Sequence, residues 1–397
     1  MSNPINQIPR NPVIMQIIPE LGTGGAEQGC IDVAIALKNA GSRAIIVSNG
    51  GHRVHELKRH DIEHIELPVH SKNPITIYKN INIIKDLIEK NNVDIVHVRS
   101  RAPAWSAYYA TLKKQTKFLT TCHAPYNLAG KWKNRYNSIM AKGDRVIAIS
   151  NHVANYLVDN YTIDANRIRL IHRGVNLQKH NPNVIKPPQL INITKEWRIP
   201  DHAQVIMLPA RLTRWKGHHV LIDAMEKLNR KDVFCVMIGP DQGRTEYREE
   251  LENLIEEKQL GKQVRIVDRC DDMPAAYMCS TIVVSASIEP EGFGRIPIEA
   301  QAMGRPIIAT DHGGAQETVL HNQTGWLIPP NDSDILAQTL EYALDLDEDK
   351  KIQMAHHAMN HIAHNFSKEK MMDETLNVYA ELLQEKYNIA VHAAQAA

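Results

Sequence analysis

Too few cysteines are present, and too scattered, for covalent or metal crosslinks to hold this chain. Cys30, Cys122, Cys235, Cys270 and Cys279 are odd in number and form no CxxC pair, which argues against a disulfide framework and structural zinc and leaves them as small buried hydrophobes. No stretch approaches the ~18 apolar residues of a membrane-crossing helix. Met1 to Asn11 lacks the basic and apolar regions of a secretory signal, so a cytoplasmic protein is expected. Repeats and low-complexity tracts are missing, apart from an alanine-rich end, Ala390 to Ala397, that is expected to fray. Gly22-Thr23-Gly24-Gly25-Ala26-Glu27 lacks the third glycine of G-x-G-x-x-G, which disfavours a nicotinamide-dependent oxidoreductase.

What is there suits an ordinary globular protein of two domains. The 397 residues, 43% apolar and 23% charged, exceed what one core usually serves. A net charge of +1 hides an asymmetry: residues 1–190 carry 25 Lys and Arg against 13 Asp and Glu, while residues 191–397 carry 21 against 32. Such a basic half suggests a polyanionic partner such as a membrane surface or phosphorylated lipid, although two oppositely charged domains could simply attract one another. Short apolar runs alternate with helical patterns, the sequence form of parallel α/β architecture. Strands are expected at Val13–Ile18, Ala44–Ser48, Ile95–Val98, Phe118–Thr121 and Arg145–Ile149, then at Val205–Pro209, Phe234–Ile238, Val264–Val267, Ile282–Ser285 and Pro306–Ala309. Helices are expected over Glu27–Ala40, Ile75–Asn91 and Lys368–Tyr387. A proline-bearing stretch, Gln178 to Thr194, reads as the linker. The domains are therefore set at 12–185 and 186–365, with a last helix over 366–390.

One segment carries the most chemistry. Ser287 to Thr310 sets Glu291 and Glu299 eight residues apart across a glycine-flanked turn, and a helix starting near Pro297 turns its positive end toward that turn. Glu299, expected in the first helical turn, can accept hydrogen bonds from sugar or ribose hydroxyls. Glu289 reads as a solvated loop charge, and Asp271-Asp272-Met273-Pro274 as a helix N-cap rather than a metal site. Arg211 and Lys216 follow the first strand of the second half and suit a diphosphate.

The segment resembles the glutamate, seven residues, glutamate signature of retaining glycosyltransferases of family 4. The same family pattern is met in order by Gly24-Gly25-Ala26-Glu27, Thr121-Cys122-His123, Ile149-Ser150-Asn151, Arg173-Gly174-Val175-Asn176, Ala210 to Gly217, Asp311-His312-Gly313-Gly314 and Thr324 to Pro330. The resemblance implies an α/β fold of GT-B type, with two Rossmann-like domains facing each other across a cleft and a C-terminal helix packing back on the N-terminal domain. It also implies sugar transfer with retention from a nucleotide diphosphate sugar to a hydroxyl, with the leaving diphosphate taking the proton. In the resembling family Arg211 and Lys216 would clamp the diphosphate, Glu291 and His123 would lie beside the donor sugar, and Glu299 would hold the ribose. Gly24, Gly25, Gly239, Gly292, Phe293 and Gly294 would complete the donor site. No D-x-D is read in the chain, so no metal or other cofactor is expected to be required.

The acceptor is expected in the basic half. Lys113, Lys114 and Lys117, then Lys131-Trp132-Lys133-Asn134-Arg135-Tyr136, interleave cations and aromatics, and Arg99 and Arg101 follow a strand. They are expected to meet a phosphorylated glycolipid, such as a lipopolysaccharide or cell-envelope precursor, at an anionic inner-membrane surface, which would make the enzyme peripheral. No nucleic acid partner is expected. A nucleotide-sugar epimerase of similar fold and a non-catalytic nucleotide-sugar-binding protein stand as the alternatives.

Overall fold

In a computed structural model, residues 11–395 are described, except 23, 113 and 129, with side chains described as far as Tyr387. The readings of Met1 to Arg10, of Lys113 and of the final alanines lie outside the described residues. The chain forms two compact units, one from the described parts of Met1–His172 and Lys370–Ala397, the other from Arg173–Glu369.

The first unit is built on β1 (Val13–Ile17), β2 (Arg43–Ser48), β3 (Glu63–Glu66), β4 (Ile95–Val98), β5 (Lys117–Cys122), β6 (Arg145–Ala148) and β7 (Ile168–Leu170). They pair in parallel in the order β3-β2-β1-β4-β5-β6-β7. Neighbouring residues of β1 feed two different cores, because side chains alternate across a pleated strand. Ile14 packs in one with Ile31, Leu37 and Leu382, and Met15 and Ile17 in the other with Ile84, Ala107 and Met140. That is why the strand reads as an apolar run broken only by Gln16, itself buried.

The second unit contains β8 (Gln204–Pro209), β9 (Val233–Ile238), β10 (Val264–Val267), β11 (Ile282–Ser285), β12 (Ile307–Thr310) and β13 (Gly325–Ile328), ordered β10-β9-β8-β11-β12-β13. The same alternation divides Ile206 and Leu208 from Val205 and Met207. All ten expected strands are present. The three unforeseen ones, β3, β7 and β13, are sheet edges, where one neighbour is missing and the apolar run is short.

Two expectations are corrected. Gln178 to Thr194 is not a bare linker: it holds a helix, Pro187–Glu196, with prolines in its first turn, where no amide is needed. Ile193 and Trp197 bury themselves in the second unit's core, and the units divide earlier, after His172. The last helix, Lys368–Gln395, runs longer than its expected range. It packs on the first unit through Leu376, Tyr379, Leu382 and Leu383. Its acids also answer part of the charge asymmetry. Glu381 pairs with Arg145 and Arg169, Glu385 with Lys117 and Arg145, and Lys386 reaches the fully buried Asp94 at 2.6 Å.

Candidate functional site

Parallel strands bring all their carboxyl ends to one edge of a sheet, and a ligand crevice forms where the strand order reverses direction. In the second unit that reversal lies between β8 and β11. Arg211 stands two residues past β8, and the turn holding Glu291 follows β11. Sequence spacing put these residues in separate motifs; the sheet order makes them neighbours.

Lys216 is drawn to this edge by Gly217, whose φ is +71° and whose Cβ, were it present, would lie 1.9 Å from the Ala286 carbonyl oxygen. Only glycine permits that approach. The loop is thereby pressed against the chain leaving β11, and Ile288 N donates to Trp215 O. Lys216 Nζ meets Glu291 Oε1 at 2.6 Å, with only 10% and 19% of the two side chains exposed. The ammonium also lies 4.3 Å from the centre of the Trp215 ring, and Ser287 Oγ donates to the same Glu291 oxygen at 2.6 Å. Arg211 is exposed, and its Nη1 reaches Gln242 Oε1 at 3.4 Å. Gly239, just past β9, packs where a Cβ would come within 2.2 Å of the Ala210 carbonyl oxygen, so it shapes the backbone under Arg211.

Gly294 caps the helix Arg295–Ala302 without a side-chain bond. Glu299 is the fifth residue of that helix, not part of its first turn, because the helix begins before Pro297. Its Oε2 accepts from Tyr277 OH at 3.0 Å and its Oε1 pairs with Arg295 Nη2 at 2.8 Å. Burial holds the Tyr277 phenol well above its ordinary value. His180, whose ring centre lies 6.4 Å from that of Tyr277, is shifted below the usual histidine value, mainly by burial. Phe293 buries its ring 5.9 Å from Phe366, and Gly292 and Gly294 flank it in the turn. Glu289 is an exposed loop residue.

In the first unit the order reverses between β1 and β4. Gly24 caps the helix Gly25–Asn39, and the Glu27 carboxylate folds back over it, where a Cβ would come within 2.2 Å. His123 follows β5 directly and is partly buried. Arg99 and Arg101, expected just after a strand on its ligand side, are engaged by neighbouring side chains. Arg99 is 5% exposed, and its Nε and Nη2 donate to Gln16 Oε1 at 3.0 and 2.7 Å. Arg101 donates to Asn137 and stacks 4.2 Å from the Tyr126 ring centre. Both follow a central strand, which surrounds Arg99 and leaves Arg101 half-buried. Lys131, Lys133 and Arg135 are exposed on the short helix Lys131–Asn137.

The reading that the chain has no D-x-D is corrected by Asp332-Ser333-Asp334, Asp345-Leu346-Asp347 and Asp347-Glu348-Asp349. Here the acids have structural partners: Asp345 pairs with Arg230, and Asp347 caps a helix by accepting from Lys350 N at 2.8 Å. Asp272 is likewise an N-cap, accepting from Ala275 N at 3.2 Å. Sequence reasoning missed Ser287, Tyr277 and His180 as neighbours of the glutamates, since only the fold brings His180 and Tyr277 near Glu299.

Residues 23–179 match Glycosyltransferase Family 4, and residues 191–360 match Glycosyl transferases group 1. A crystal structure of a glycosyltransferase from Rickettsia africae ESF-5 is 42% identical, covering 94% of this chain and 99% of that one, with a TM-score of 0.88. The chain belongs to glycosyltransferase family 4. As a member of that family it has the GT-B fold, and Anabaena HepE, solved with UDP and glucose, shares the fold at a TM-score of 0.82 and 20% identity, covering 94% of this chain and all of that one. D-inositol 3-phosphate glycosyltransferase from Corynebacterium efficiens is 30% identical over 231 residues, 57% of this chain and 53% of that protein. The aligned part thus spans about half the length of the curated relatives it matches. Among the described residues no helix is long and apolar enough to cross a membrane, and no group of three or more His, Cys, Asp or Glu side chains is arranged to hold a metal ion.

Proposed function

We propose that this family 4 protein is a retaining, metal-independent glycosyltransferase that moves a sugar from a nucleotide diphosphate sugar to a hydroxyl acceptor. The observation that carries the reading is the convergence of Arg211, Lys216 and Glu291 on the strand-order reversal of the second unit, with Lys216 bonded to Glu291 at 2.6 Å. Two cations at a strand-end crevice, beside a helix N-terminus, can balance a leaving diphosphate electrostatically, which is the largest catalytic term in most enzymes. In the reaction the acceptor oxygen bonds to the anomeric carbon, the bond from that carbon to the diphosphate oxygen breaks, and the diphosphate takes the acceptor's proton. Lys216 binds the departing diphosphate, Glu291 orients the sugar, Glu299 accepts from the ribose hydroxyls, and His123 touches the donor sugar. Gly24, Gly25, Gly239 and the Gly292-Phe293-Gly294 backbone line the donor.

The test is ligand-detected NMR against uridine, guanosine and adenosine diphosphate sugars with a chelator present, followed by turnover. One donor should bind selectively, and Arg211→Ala should cut turnover by about a hundredfold or more while the protein stays folded. Unchanged turnover in that variant, or a requirement for added metal, would overturn the reading.

For the acceptor we propose a phosphorylated glycolipid or cell-envelope polysaccharide precursor, met by a peripheral enzyme at an anionic cytoplasmic membrane face. Support comes from Trp132, 84% exposed between Lys131 and Lys133. Lys131, Asn134, Arg135 and Ser138, at helical spacing, line a hollow of about 430 Å³ with Lys142. Between Arg101 and Arg145 the only acidic residue is Asp144. Lipids with anionic headgroups attract such a surface, and an exposed tryptophan suits the headgroup level. The relatives named for D-inositol 3-phosphate also have a phosphorylated compound in their name. Vesicle flotation should show binding to anionic vesicles that Trp132→Ser weakens; equal or absent binding to anionic and neutral vesicles would remove the membrane.

A further inference from the structure

Glu299 is held from behind by two groups that no motif contains. Tyr277, on the helix Met273–Cys279, has no exposed surface, and its hydroxyl donates to Oε2 at 3.0 Å. Arg295, one turn before Glu299 on the same helix, bonds to Oε1 at 2.8 Å, and 38% of its side chain is exposed. A phenol kept protonated by burial is a permanent donor. So each carboxylate oxygen has one protein partner, and each keeps a further lone pair. Two lone pairs, one per oxygen of a planar group, match the two hydroxyls of a cis-diol. The Glu299 side chain is 15% exposed, which leaves it reachable from one side.

We propose that Tyr277 and Arg295 are positioning residues for the donor: they fix the rotation of the Glu299 carboxylate so that both of its remaining lone pairs face the 2′- and 3′-hydroxyls of a nucleoside diphosphate. This rests on the reading that Glu299 meets the ribose. With either group removed the carboxylate turns, and the paired geometry is lost while the charge remains. Arg295 acts through Glu299 and makes no bond to the diphosphate, which separates its role from that of Arg211 and Lys216.

The experiment measures dissociation constants by calorimetry for the nucleoside diphosphate that binds and for its 2′,3′-dideoxy counterpart. The proteins are the natural chain, Tyr277→Phe, Arg295→Met and Glu299→Gln. The natural chain should prefer the ribonucleotide by about tenfold or more, the worth of about one hydrogen bond to a charged group. Tyr277→Phe and Arg295→Met should each weaken the ribonucleotide by roughly tenfold and leave the dideoxy nucleotide unchanged. Equal weakening of both nucleotides would mean a general structural or phosphate-binding role and overturn the proposal, as would no weakening. If Glu299→Gln keeps the natural chain's preference for the ribonucleotide, the ribose reading falls and takes the proposal with it. If only Glu299→Gln loses that preference, the ribose reading stands and the positioning role falls. Should Tyr277→Phe unfold, the partly exposed Arg295→Met carries the same comparison.

Discussion

Replacing Lys216 with methionine tests the centre of the candidate site without reference to any ligand. Lys216 and Glu291 are 10% and 19% exposed and 2.6 Å apart, so water screens their bond weakly. Methionine fills the space of the lysine stem and removes the ammonium, leaving the Glu291 oxygen with Ser287 Oγ alone. A hydrogen bond to a charged group contributes about 1.5–3 kcal/mol, and stranding a more deeply buried charge costs more. We therefore expect Lys216→Met to destabilise the second unit by about 2–3 kcal/mol, a fall in Tm of roughly 4–12 °C for a unit of this size. Glu291→Gln in the same chain removes the stranded charge and should restore at least about 1 kcal/mol, seen as coupling in a double-mutant cycle. The assay is calorimetric unfolding of the two single variants and the double variant at one pH and salt concentration. A Lys216→Met chain within about 0.5 kcal/mol of the natural one, or additive variants, would show that the pair does not hold the site.

Three other outcomes are expected. Lys386→Met should loosen the last helix by about 3 kcal/mol, because Asp94 is fully buried, and hydrogen exchange in Lys368–Gln395 should quicken while the second unit stays protected. Burial brings His218 down from 6.5 to about 4. The unfolded chain therefore binds more protons between those values, so stability is unaffected above pH 6.5 and falls by up to about 3 kcal/mol as pH drops to 4; His218→Phe should flatten that slope in pH-dependent unfolding. Gly217→Ala drives a Cβ into the Ala286 carbonyl at positive φ and should cost at least about 2 kcal/mol, read as a lowered unfolding midpoint.

The sequence determined the alternation of buried strands and helices, because a strand covered on both faces must be apolar along its length. Val233–Ile238 shows this, every residue being apolar and buried, and Val13–Ile17 does so but for Gln16, whose buried amide bonds Cys30 O and Arg99. It also marked Arg211, Lys216, Glu291 and Glu299, whose motifs are local in the chain. Two edge strands escaped notice since they bury less: neither Glu63–Glu66 nor Ile168–Leu170 has a fully buried residue. Tertiary structure alone decided which candidate charges are enclosed. Arg99 and Lys131 are equally basic in sequence, yet one lies under Gln16 and a returning helix and the other on the surface. It also decided which groups flank the two glutamates. Lys216 and Glu291 are 75 residues apart and Tyr277 and Glu299 are 22 apart, so their bonds depend on the parallel order of β8 and β11 and on helix packing. Local pattern records burial; partner identity at a site depends on long-range geometry, which no periodicity encodes.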